Sequence, residues 1–294
     1  MRLLTLIAIP VILISCSTKK DGSASSESMK ASAPSYKLEK LWETDTLLRT
    51  PESVLYDSAR DVIYVANVNM NPWEKDENGF ISKISTSGEI VDLEWVTGLS
   101  GPKGMGLVGT SLFVNDITDL VEINVETGEI IKRTALEGAV GLNDITTDCG
   151  GTLYISDSNG DKIYKYANGT AEVFMSGMPS KPNGQLFDGD NLYTAFAGAH
   201  QFSAINLESK EMTVVADSIG AGDGITPTTE PGVYLVSDWT GEIWIIGDFG
   251  KQSLLQTRDQ GKNTADIWFI ADQELVLVPT FFDNKVVAYK LVKG

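Results

Sequence analysis

The sequence contains few basic residues, one histidine and two cysteines, and each shortage narrows what the protein can do. Its 23 Lys and Arg residues stand against 40 Asp and Glu residues, so the formal net charge is -17. No cluster of Lys and Arg offers the surface that phosphate binding requires, and we therefore predict no nucleic-acid partner. With 42% hydrophobic and 21% charged residues, the composition is that of a soluble globular protein with an acidic surface.

The first 15 residues are interpreted as a lipoprotein signal peptide. A basic start at Met1-Arg2 precedes an apolar run over residues 3–14 that is too short to span a bilayer comfortably, and Ser15-Cys16 ends the run. This arrangement resembles the lipobox of bacterial lipoproteins, in which the cysteine is lipidated and becomes the new N-terminus. An ordinary secretory leader with an incidental cysteine is the alternative.

The lipobox resemblance implies that Cys16 anchors the protein outside the cytoplasm, as a periplasmic or outer-membrane lipoprotein of the bacterial cell envelope. The lipid is the only membrane contact that we expect. Cys149 is then left alone, so no intramolecular disulfide framework is predicted. Residues 16–35 are rich in Ser, Ala and Lys and lack aromatic residues until the domain starts, which is typical of a flexible tether. The folded domain is predicted to cover residues 36–294.

From Tyr36 onward the sequence is predicted to be all-β, because no apolar period of 3.6 residues lasts longer than a turn or two. Short apolar runs recur instead, separated by turn residues. The second run of each repeat is the clearest, at residues 62–65, 111–114, 152–155, 191–194, 232–235 and 274–277. The repeats are spaced by about 40 residues, which is in the range of a four-stranded propeller blade.

The last repeat lacks a fourth apolar run before the chain ends at Gly294. The missing strand is available at the other end of the domain, in residues 37–42, and adding it to the last blade would close the ring and remove an open sheet edge. We therefore predict a six-bladed β-propeller whose last blade is closed by the N-terminal strand. A propeller with a seventh blade is the alternative.

Each repeat opens with a short segment that precedes its first apolar run. The six openings are Pro51-Glu52-Ser53, Pro102-Lys103-Gly104, Leu142-Asn143-Asp144, Lys181-Pro182-Asn183-Gly184, Gly222-Asp223-Gly224 and Thr264-Ala265-Asp266. If the openings superpose, one residue from each faces a shared axis. The predicted ring is Glu52, Lys103, Asn143, Asn183, Asp223 and Ala265.

The same end of the propeller is predicted to hold the loops between second and third strands. These loops place Asn67, Asp116, Asp157, Asp238 and His200 near the ring. They also include the longest insertion, residues 67–78, which is a candidate lid because oversized loops at a propeller mouth often cover a site.

The predicted ring consists mostly of oxygen donors and contains neither Cys nor His. Hard oxygen ligands suit Ca²⁺, which we expect here, with Mg²⁺, Mn²⁺ or Zn²⁺ as alternatives. Glu52, Asn183 and Asp223 would fill about half of a calcium shell and leave positions for water or substrate. Alternatively, Asn183-Gly184 and Asp223-Gly224 could be hairpin turns without a ligand, since Asn-Gly and Asp-Gly are common turn sequences.

On these residues the chain resembles the gluconolactonase family, also called the regucalcin or senescence marker protein family, over residues 36–294. Glu52 in Pro-Glu-Ser is similar to the family's first-blade glutamate ligand, and Asn183 in Lys-Pro-Asn-Gly to its asparagine ligand. Asp223 in Gly-Asp-Gly is similar to the family's aspartate, which is both a ligand and the general base. Asn143 looks like the asparagine that faces the substrate. The resemblance implies a six-bladed propeller with metal-dependent lactonase activity.

The sequence also departs from that family. Gly141-Leu142 stands where the family usually has an Arg shortly before the substrate-facing asparagine, and Glu52 lacks a following Gly-Pro. Lys103 adds a cation to the ring. This lysine could pair with Glu52, hold an anionic substrate or weaken metal binding.

The leading hypothesis is a metal-dependent hydrolase of a lactone or similar cyclic ester, with Asp223 as general base. Glu52 and Asn183 complete its metal ligands, while Asn143, Lys103 and His200 are the candidate substrate contacts. The expected partner is a small lactone or sugar-derived molecule, and no protein partner is predicted.

The alternative hypothesis is a non-catalytic propeller that binds a sugar or peptide at the cell surface. Trp73, Trp239, Phe281 and Phe282 would then be apolar contacts at the mouth, although packing between blades is the favoured role for at least two of them. A streptogramin-lyase-like propeller is not favoured, because such an enzyme would normally rely on histidine and His200 is the only one.

Overall fold

A computed structural model describes residues 34–294, and these residues form six four-stranded antiparallel sheets arranged as the blades of a propeller. Blade 1 comprises β2 (Pro51–Asp57), β3 (Val62–Asn67), β4 (Gly79–Ile84) and β5 (Ile90–Leu99). Blade 2 comprises β6 (Pro102–Val108), β7 (Ser111–Asp116), β8 (Asp119–Asn124) and β9 (Ile130–Ala135). Blade 3 comprises β10 (Leu142–Thr147), β11 (Leu153–Asp157), β12 (Lys162–Ala167) and β13 (Thr170–Ser176).

The remaining blades repeat the same order. Blade 4 comprises β14 (Pro182–Asp188), β15 (Asn191–Phe196), β16 (Gln201–Asn206) and β17 (Met212–Asp217). Blade 5 comprises β18 (Gly222–Pro227), β19 (Tyr234–Asp238), β20 (Glu242–Gly247) and β21 (Gly250–Gln256). Blade 6 comprises β22 (Trp268–Ile270), β23 (Leu275–Pro279), β24 (Val286–Lys293) and β1 (Tyr36–Glu43). Short 3₁₀ turns lie at Arg258–Gln260, Ala271–Gln273 and Phe281–Asp283.

The first strand of the described chain closes the last blade, as the sequence predicts. β1 pairs antiparallel with β24 from Tyr36 opposite Lys293 to Glu43 opposite Val287, with a register shift between Lys40 and Trp42. The order of this sheet is β1-β24-β23-β22, so blade 6 is assembled from both ends of the domain. The prediction of six blades is confirmed, and residues 34–294 contain no seventh sheet.

Apolar side chains fill the six seams between neighbouring blades. Between blades 1 and 2, for example, Tyr64 and Leu99 pack in one buried cluster with Leu112 and Val121. The alternating inward residues of each strand supply these clusters, because successive side chains of a strand point to opposite faces of its sheet. The core is therefore a ring of seams around a central channel, and polar side chains are free to line the channel itself.

Each blade contributes its innermost strand to the lining of this channel. These six inner strands are β2, β6, β10, β14, β18 and β22. We call the end at which these strands begin the proximal end and the end at which they finish the distal end. β6, β10, β14 and β18 all carry a register shift directly after their first residue, as between Pro182 and Gln185 in β14. Such a bulge bends a strand and changes where its side chains point. The repeated irregularity therefore falls on the residues predicted to form the ring.

The structure excludes the interpretation of Asn183-Gly184 and Asp223-Gly224 as hairpin turns, because both pairs lie inside inner strands. Their glycines allow neighbouring inner strands to approach closely. A Cβ atom on Gly224 would lie 2.5 Å from Asp266 Oδ1, and one on Gly184 would overlap the carbonyl oxygen of Asp223. Glycine is required here by close backbone packing and not by turn geometry.

The predicted signal peptide, lipidated Cys16 and nearly all of the tether lie outside the described residues. Within residues 34–294, no helix is long and apolar enough to cross a membrane. Cys149 is exposed in the turn between β10 and β11.

Candidate functional site

The structure brings the predicted ring residues to the proximal part of the channel. Glu52, Lys103, Asn143, Asn183 and Asp223 each occupy the second position of an inner strand, and all five are buried. The sixth opening differs, since Ala265 is buried just before the short strand β22. Its neighbour Asp266 forms a parallel bridge with Ser53, which joins blade 6 to blade 1 at the same level.

Two of the predicted metal ligands are in direct contact. Asn183 Nδ2 donates a hydrogen bond of 2.9 Å to Asp223 Oδ1 across the gap between blades 4 and 5. Asn183 Oδ1 is buried and receives no hydrogen bond from the residues that the structure describes, and the same holds for Glu52 Oε2. Because a buried acceptor without a donor is costly, these oxygens mark places where a ligand or an ordered water would be stabilising.

Asp144 on β10 and Asp266 before β22 each follow a predicted ring residue, and the sequence assigned them no role. Asp144 Oδ1 accepts the backbone N–H of Ile145 and Oδ2 that of Gln185, both at 2.6 Å. Asp266 Oδ2 accepts the hydroxyl of Ser53 at 2.6 Å. Acidic residues in the third and sixth openings are visible in the sequence and could have indicated these two carboxyl groups. The predicted ring instead took the residue before each of them, Asn143 and Ala265.

Burial raises the pKa of the channel carboxyl groups. It raises the pKa of Glu52 to about 8, against the opposing effect of Lys103, with a further increase from Asp266. Burial also raises the pKa of Asp266 to about 7, while its hydrogen bond from Ser53 lowers it. The pKa values of Asp144 and Asp223 are raised by burial and then by the neighbouring carboxylates. The channel therefore concentrates acidic groups that water solvates poorly and that repel one another.

Lys103 is the cation of this group, but it is not paired with Glu52 in an ion pair. Its Nζ donates to the carbonyl oxygens of Pro72 at 2.7 Å and Gly101 at 3.0 Å, and it lies 4.1 Å from the centroid of the Trp73 ring. Burial lowers the pKa of Lys103 to about 8, and the attraction of Glu52 opposes that effect. The lysine is thus turned towards the insertion between β3 and β4.

The insertion between β3 and β4, residues 68–78 in the structure, lies at the proximal end of the channel and is called the lid below; the sequence predicts a candidate lid over residues 67–78. Trp73 reaches blade 3, since a Cβ atom on Gly141 would lie 2.8 Å from its ring. Lys75 Nζ donates to Thr118 Oγ1 at 2.7 Å on blade 2. This loop of blade 1 therefore contacts blades 2 and 3, and the hydrogen bond from Lys103 to Pro72 also holds it in place.

Three of the acidic residues predicted near the proximal end have structural roles. Asp116 Oδ1 accepts the backbone N–H groups of Ser100 and Gly101, and Asp157 accepts the two corresponding groups before β10. Asp238 accepts one such group before β18, the N–H of Ala221. Each carboxylate fixes the loop that leads into an inner strand, because it accepts one or two backbone N–H groups of that loop. These residues position the ring and do not belong to it.

His200 lies outside the cluster. It is exposed, and its Nδ1 lies 2.7 Å from the carbonyl oxygen of Gly220 in the loop before β18.

The four aromatic residues predicted as apolar contacts lie at the same proximal end. Trp239 packs against Phe281 and Phe282 with ring centroids 5.8 Å and 6.1 Å apart. Phe281 is buried, whereas Phe282 is 60% exposed and Trp73 on the lid is 40% exposed, so the latter two could contact a ligand.

The donor set decides which metal the channel could hold. Within residues 34–294, no three His, Cys, Asp or Glu side chains are grouped as a metal site. A site would therefore need the Asn183 amide oxygen beside the carboxylates of Glu52 and Asp223. The two unpartnered oxygens belong to this set, and carboxylate and amide oxygens are the donors that Ca²⁺ prefers. By this test the residues fit a hard divalent cation better than zinc.

No protein-family model matches the sequence, and no curated protein matches it. Solved structures resemble the fold at low identity. An auxiliary nutrient binding protein from Bacteroides thetaiotaomicron superposes with a TM-score of 0.67 at 12% identity, covering 88% of this chain and 77% of that one. A "putative gluconolactonase" superposes with a TM-score of 0.65 at 15% identity, covering 88% and 93%.

Virginiamycin B lyase from Staphylococcus aureus, crystallised with quinupristin, superposes with a TM-score of 0.62 at 15% identity, covering 88% of this chain and all of that one. Identities this low establish a shared propeller fold and nothing finer. The neighbours include a binding protein and enzymes of two kinds, so the fold does not select a function, which has to be argued from the channel residues.

Proposed function

We propose that the propeller is a metal-dependent hydrolase of a lactone or similar cyclic ester, with one divalent cation, Ca²⁺ by preference, held by Glu52, Asn183 and Asp223. The observation that carries this proposal is the pair of buried, unpartnered oxygens, Glu52 Oε2 and Asn183 Oδ1, in one ring with Asp223. An excess of acidic groups around them makes cation binding favourable. The gluconolactonase-named neighbour is consistent with this chemistry but does not carry the proposal.

Lys103 does not block the proposed cation site in this arrangement. Its ammonium group is already held by the carbonyl oxygens of Pro72 and Gly101, so it does not occupy the unpartnered oxygen of Glu52. The lysine still reduces the negative potential of the channel, which would weaken the affinity for a cation without abolishing it. Of the roles considered for Lys103, weakening the metal site is therefore the one its position supports.

When bound, a divalent cation supplies Lewis-acid polarisation of the ester carbonyl and lowers the pKa of water. The chain's own residues do the rest. Asp223 accepts the proton of the attacking water, and Asn183 orients that carboxylate through its Nδ2 hydrogen bond. Asn143, buried in the same ring, orients the substrate. The lid of residues 68–78 excludes bulk water, which strengthens the electrostatic interactions inside the channel.

A second candidate is a binding propeller without catalysis. It is favoured by the burial of the ring, since Glu52, Lys103 and Asp223 are only 5%, 2% and 2% exposed and the lid lies above them. A closed ring with a cation would then stabilise the fold, and the ligand would bind elsewhere. Catalytic turnover of a lactone distinguishes the hydrolase from the binding propeller.

The proposal is tested by measuring thermal midpoints and lactone hydrolysis with Ca²⁺ or with EDTA. For the wild-type protein we expect Ca²⁺ to raise the midpoint, since a ligand at about 100 times its dissociation constant stabilises the native state by about 2.7 kcal/mol. Asn183→Ala should abolish this rise. Asp223→Asn should lower hydrolysis about 10²- to 10⁴-fold, because it removes the base.

Asn263→Ala is the matched control. Asn263 is also buried, with an unpartnered Oδ1 and one hydrogen bond from Nδ2 to the carbonyl oxygen of Trp239, but it lies in the loop before β22 and outside the ring. Its replacement should lower stability and leave the calcium response intact. A midpoint that neither Ca²⁺ nor Mg²⁺ moves would refute the metal site. A calcium response without turnover on a lactone panel would refute the hydrolase and leave the binding propeller.

A further inference from the structure

A separate cavity of about 380 Å³ occupies the distal half of the channel, on the opposite side of the ring from the lid. All six inner strands line it, from the level of Asp144 and Asp266 to the level of Thr147 and Pro227, where β10 and β18 end. Its volume lies within the range of small-molecule sites. None of the residues proposed to hold the metal lines this distal cavity.

The walls of the distal cavity are mainly apolar and aromatic. They include Tyr56, Leu107, Phe187, Trp268 and Phe269. All of these except Phe269 are partly exposed, so the cavity is open to solvent at its distal end. An apolar wall of this kind takes up the hydrocarbon or aromatic body of a ligand.

The inner end of the cavity is acidic. Asp144 is 5% exposed, and each of its oxygens accepts one backbone N–H. Asp266 differs, because Ser53 donates to Oδ2, while Oδ1 accepts no hydrogen bond from the described residues. Gln185, also at this level, donates its Nε2 to the carbonyl oxygens of Asn183 and Gly184. The free polar group at the inner end is therefore a carboxylate oxygen.

The charges around the inner end select a cationic ligand. None of the described lining residues is Lys, Arg or His. The cation of the channel, Lys103, lies on the proximal side and donates to Pro72 and Gly101. Two further carboxyl groups lie next to this end, since Glu52 and Asp223 directly precede Ser53 and Gly224, the residues that contact Asp266. An anionic ligand would meet only repulsion here.

The same geometry argues for an organic cation and against a bare metal ion. Asp144 already accepts two backbone hydrogen bonds and Asp266 offers one free oxygen, which is far from the six or more oxygens of a typical calcium shell. An ammonium group needs few acceptors and can also interact with aromatic rings such as Trp268. The apolar walls would be left unused by a metal ion.

We propose that the distal cavity binds a small molecule that carries one ammonium group on an apolar body, with the ammonium at Asp266 and Asp144 and the body against the aromatic walls. This site is distinct from the metal-dependent reaction proposed at the proximal ring, and neither proposal depends on the other. Access is from the distal end, so the lid over the proximal end does not control it.

Calorimetric titration with three matched probes tests this proposal in the presence of EDTA at about pH 8, where Asp266 and the ammonium group are both ionised. The probes are 2-phenylethylammonium, the neutral 2-phenylethanol and the anionic phenylacetate. We expect saturable binding of the ammonium probe, about tenfold or more tighter than the alcohol, and no binding of the acid. Asp266→Asn should reduce the preference for the ammonium probe over the alcohol to less than about twofold, because an amide keeps the shape without the charge.

Three further variants locate the site. Thr147→Trp places bulk at the distal rim and should block the ammonium probe without touching either carboxylate. Glu172→Gln makes the same charge change as Asp266→Asn on the exposed outer strand β13 and should leave binding unchanged. Asn263→Ala, outside both the ring and the distal cavity, should also leave it unchanged. Equal affinity for the ammonium probe and the alcohol, binding that survives Thr147→Trp, or no saturable binding of the ammonium probe up to about 10 mM would each overturn the proposal.

Discussion

At the scale of single residues, Lys103 links the channel to the lid. Its ammonium donates two hydrogen bonds to backbone carbonyl oxygens, one of them in the lid, and also lies against Trp73. A buried lysine is costly unless its donors are satisfied, and these contacts satisfy two of the three. The nearby carboxylate of Glu52 further stabilises the charged form. The lid is therefore held by a group that also sets the potential of the site.

Replacing Lys103 with methionine should loosen the lid more than it weakens the fold. The change removes the donor to Pro72 and the contact with Trp73, so the free energy of local opening should fall by about 1–3 kcal/mol. Hydrogen exchange across residues 69–78 should become faster in proportion. Lys83→Met is the control, since Lys83 lies over the Trp95 ring at 3.8 Å in blade 1 and should leave the lid unaffected. Equal exchange in the Lys103 variant and the wild type would contradict this role.

At the scale of elements, the joint between β1 and β24 closes the propeller. Beyond the backbone ladder, an ion pair reinforces it at one end, where Glu43 accepts from Lys285 at 2.8 Å. Lys40, on β1 itself, also donates to Glu43 at 2.6 Å. At the other end Lys293 pairs with Glu230 on blade 5. No short loop connects β1 to another strand of its own sheet, because β1 comes from the opposite end of the domain. Side-chain contacts therefore help to set its register against β24.

Acid should weaken this joint through Glu43. Its hydrogen bonds with Lys285 and Lys40 lower the pKa of Glu43 to about 2, below the usual value of 4.5. A carboxyl group whose pKa falls on folding stabilises the native state above its unfolded pKa, and this stability is lost as the pH falls from about 4.5 towards 2. Because Glu43 is exposed and screened, we expect Glu43→Gln to cost at most about 1 kcal/mol at pH 7.

Urea denaturation at pH 7, 5, 4 and 3 measures this effect. The difference in unfolding free energy between the wild type and Glu43→Gln should shrink towards the lowest pH. Glu94→Gln is the control, since Glu94 is exposed on β5 in blade 1, away from the joint. A difference that stays constant with pH would show that Glu43 acts through packing and not through charge.

At the scale of the whole molecule, the acidic channel exists only because the ring is closed. Glu52, Asp144, Asp223 and Asp266 come from blades 1, 3, 5 and 6, and no two of them are neighbours in sequence. In the unfolded chain each would be a solvated carboxylate with an ordinary pKa. Closure buries Glu52, Asp144 and Asp223, leaves Asp266 partly exposed and raises the pKa values of all four, so the channel stores electrostatic strain that protonation or a bound cation relieves.

Without divalent cations, the protein should therefore lose stability as the pH rises. A carboxyl group whose pKa is raised on folding binds more protons in the native state, so its stabilising effect is complete below the unfolded pKa and disappears as the pH passes the folded pKa. For Asp266 and Glu52 that range runs from about 4 to about 7 and 8. We expect the unfolding free energy to fall by about 1–3 kcal/mol between pH 5 and pH 8.

Denaturation of the EDTA-treated protein across this range checks the expectation. Glu52→Gln and Asp266→Asn should each flatten the pH dependence, whereas Glu172→Gln on β13 should not. An unfolding free energy that is flat or rising from pH 5 to pH 8 would show that the channel carboxylates are better solvated than their burial indicates.

The sequence by itself determined the local and periodic features of this protein. Alternating apolar residues and regularly spaced turns specify strands through short-range chemistry, so the blade count and the role of residues 37–42 could be predicted. The openings located Glu52, Asn183 and Asp223 correctly at the start of inner strands, because each repeat has the same register relative to its own second strand.

Only the tertiary structure decided which side chains meet across the channel. The contact between Asn183 and Asp223, the bridge from Ser53 to Asp266 and the attachment of Lys103 to Pro72 all join different blades or loops. Close approach at Gly184 and Gly224 sets these distances, and a glycine in sequence looks the same in a turn as in a packed strand. The burial that raises the carboxyl pKa values is likewise a property of the closed ring, because it depends on six strands assembled from the whole domain.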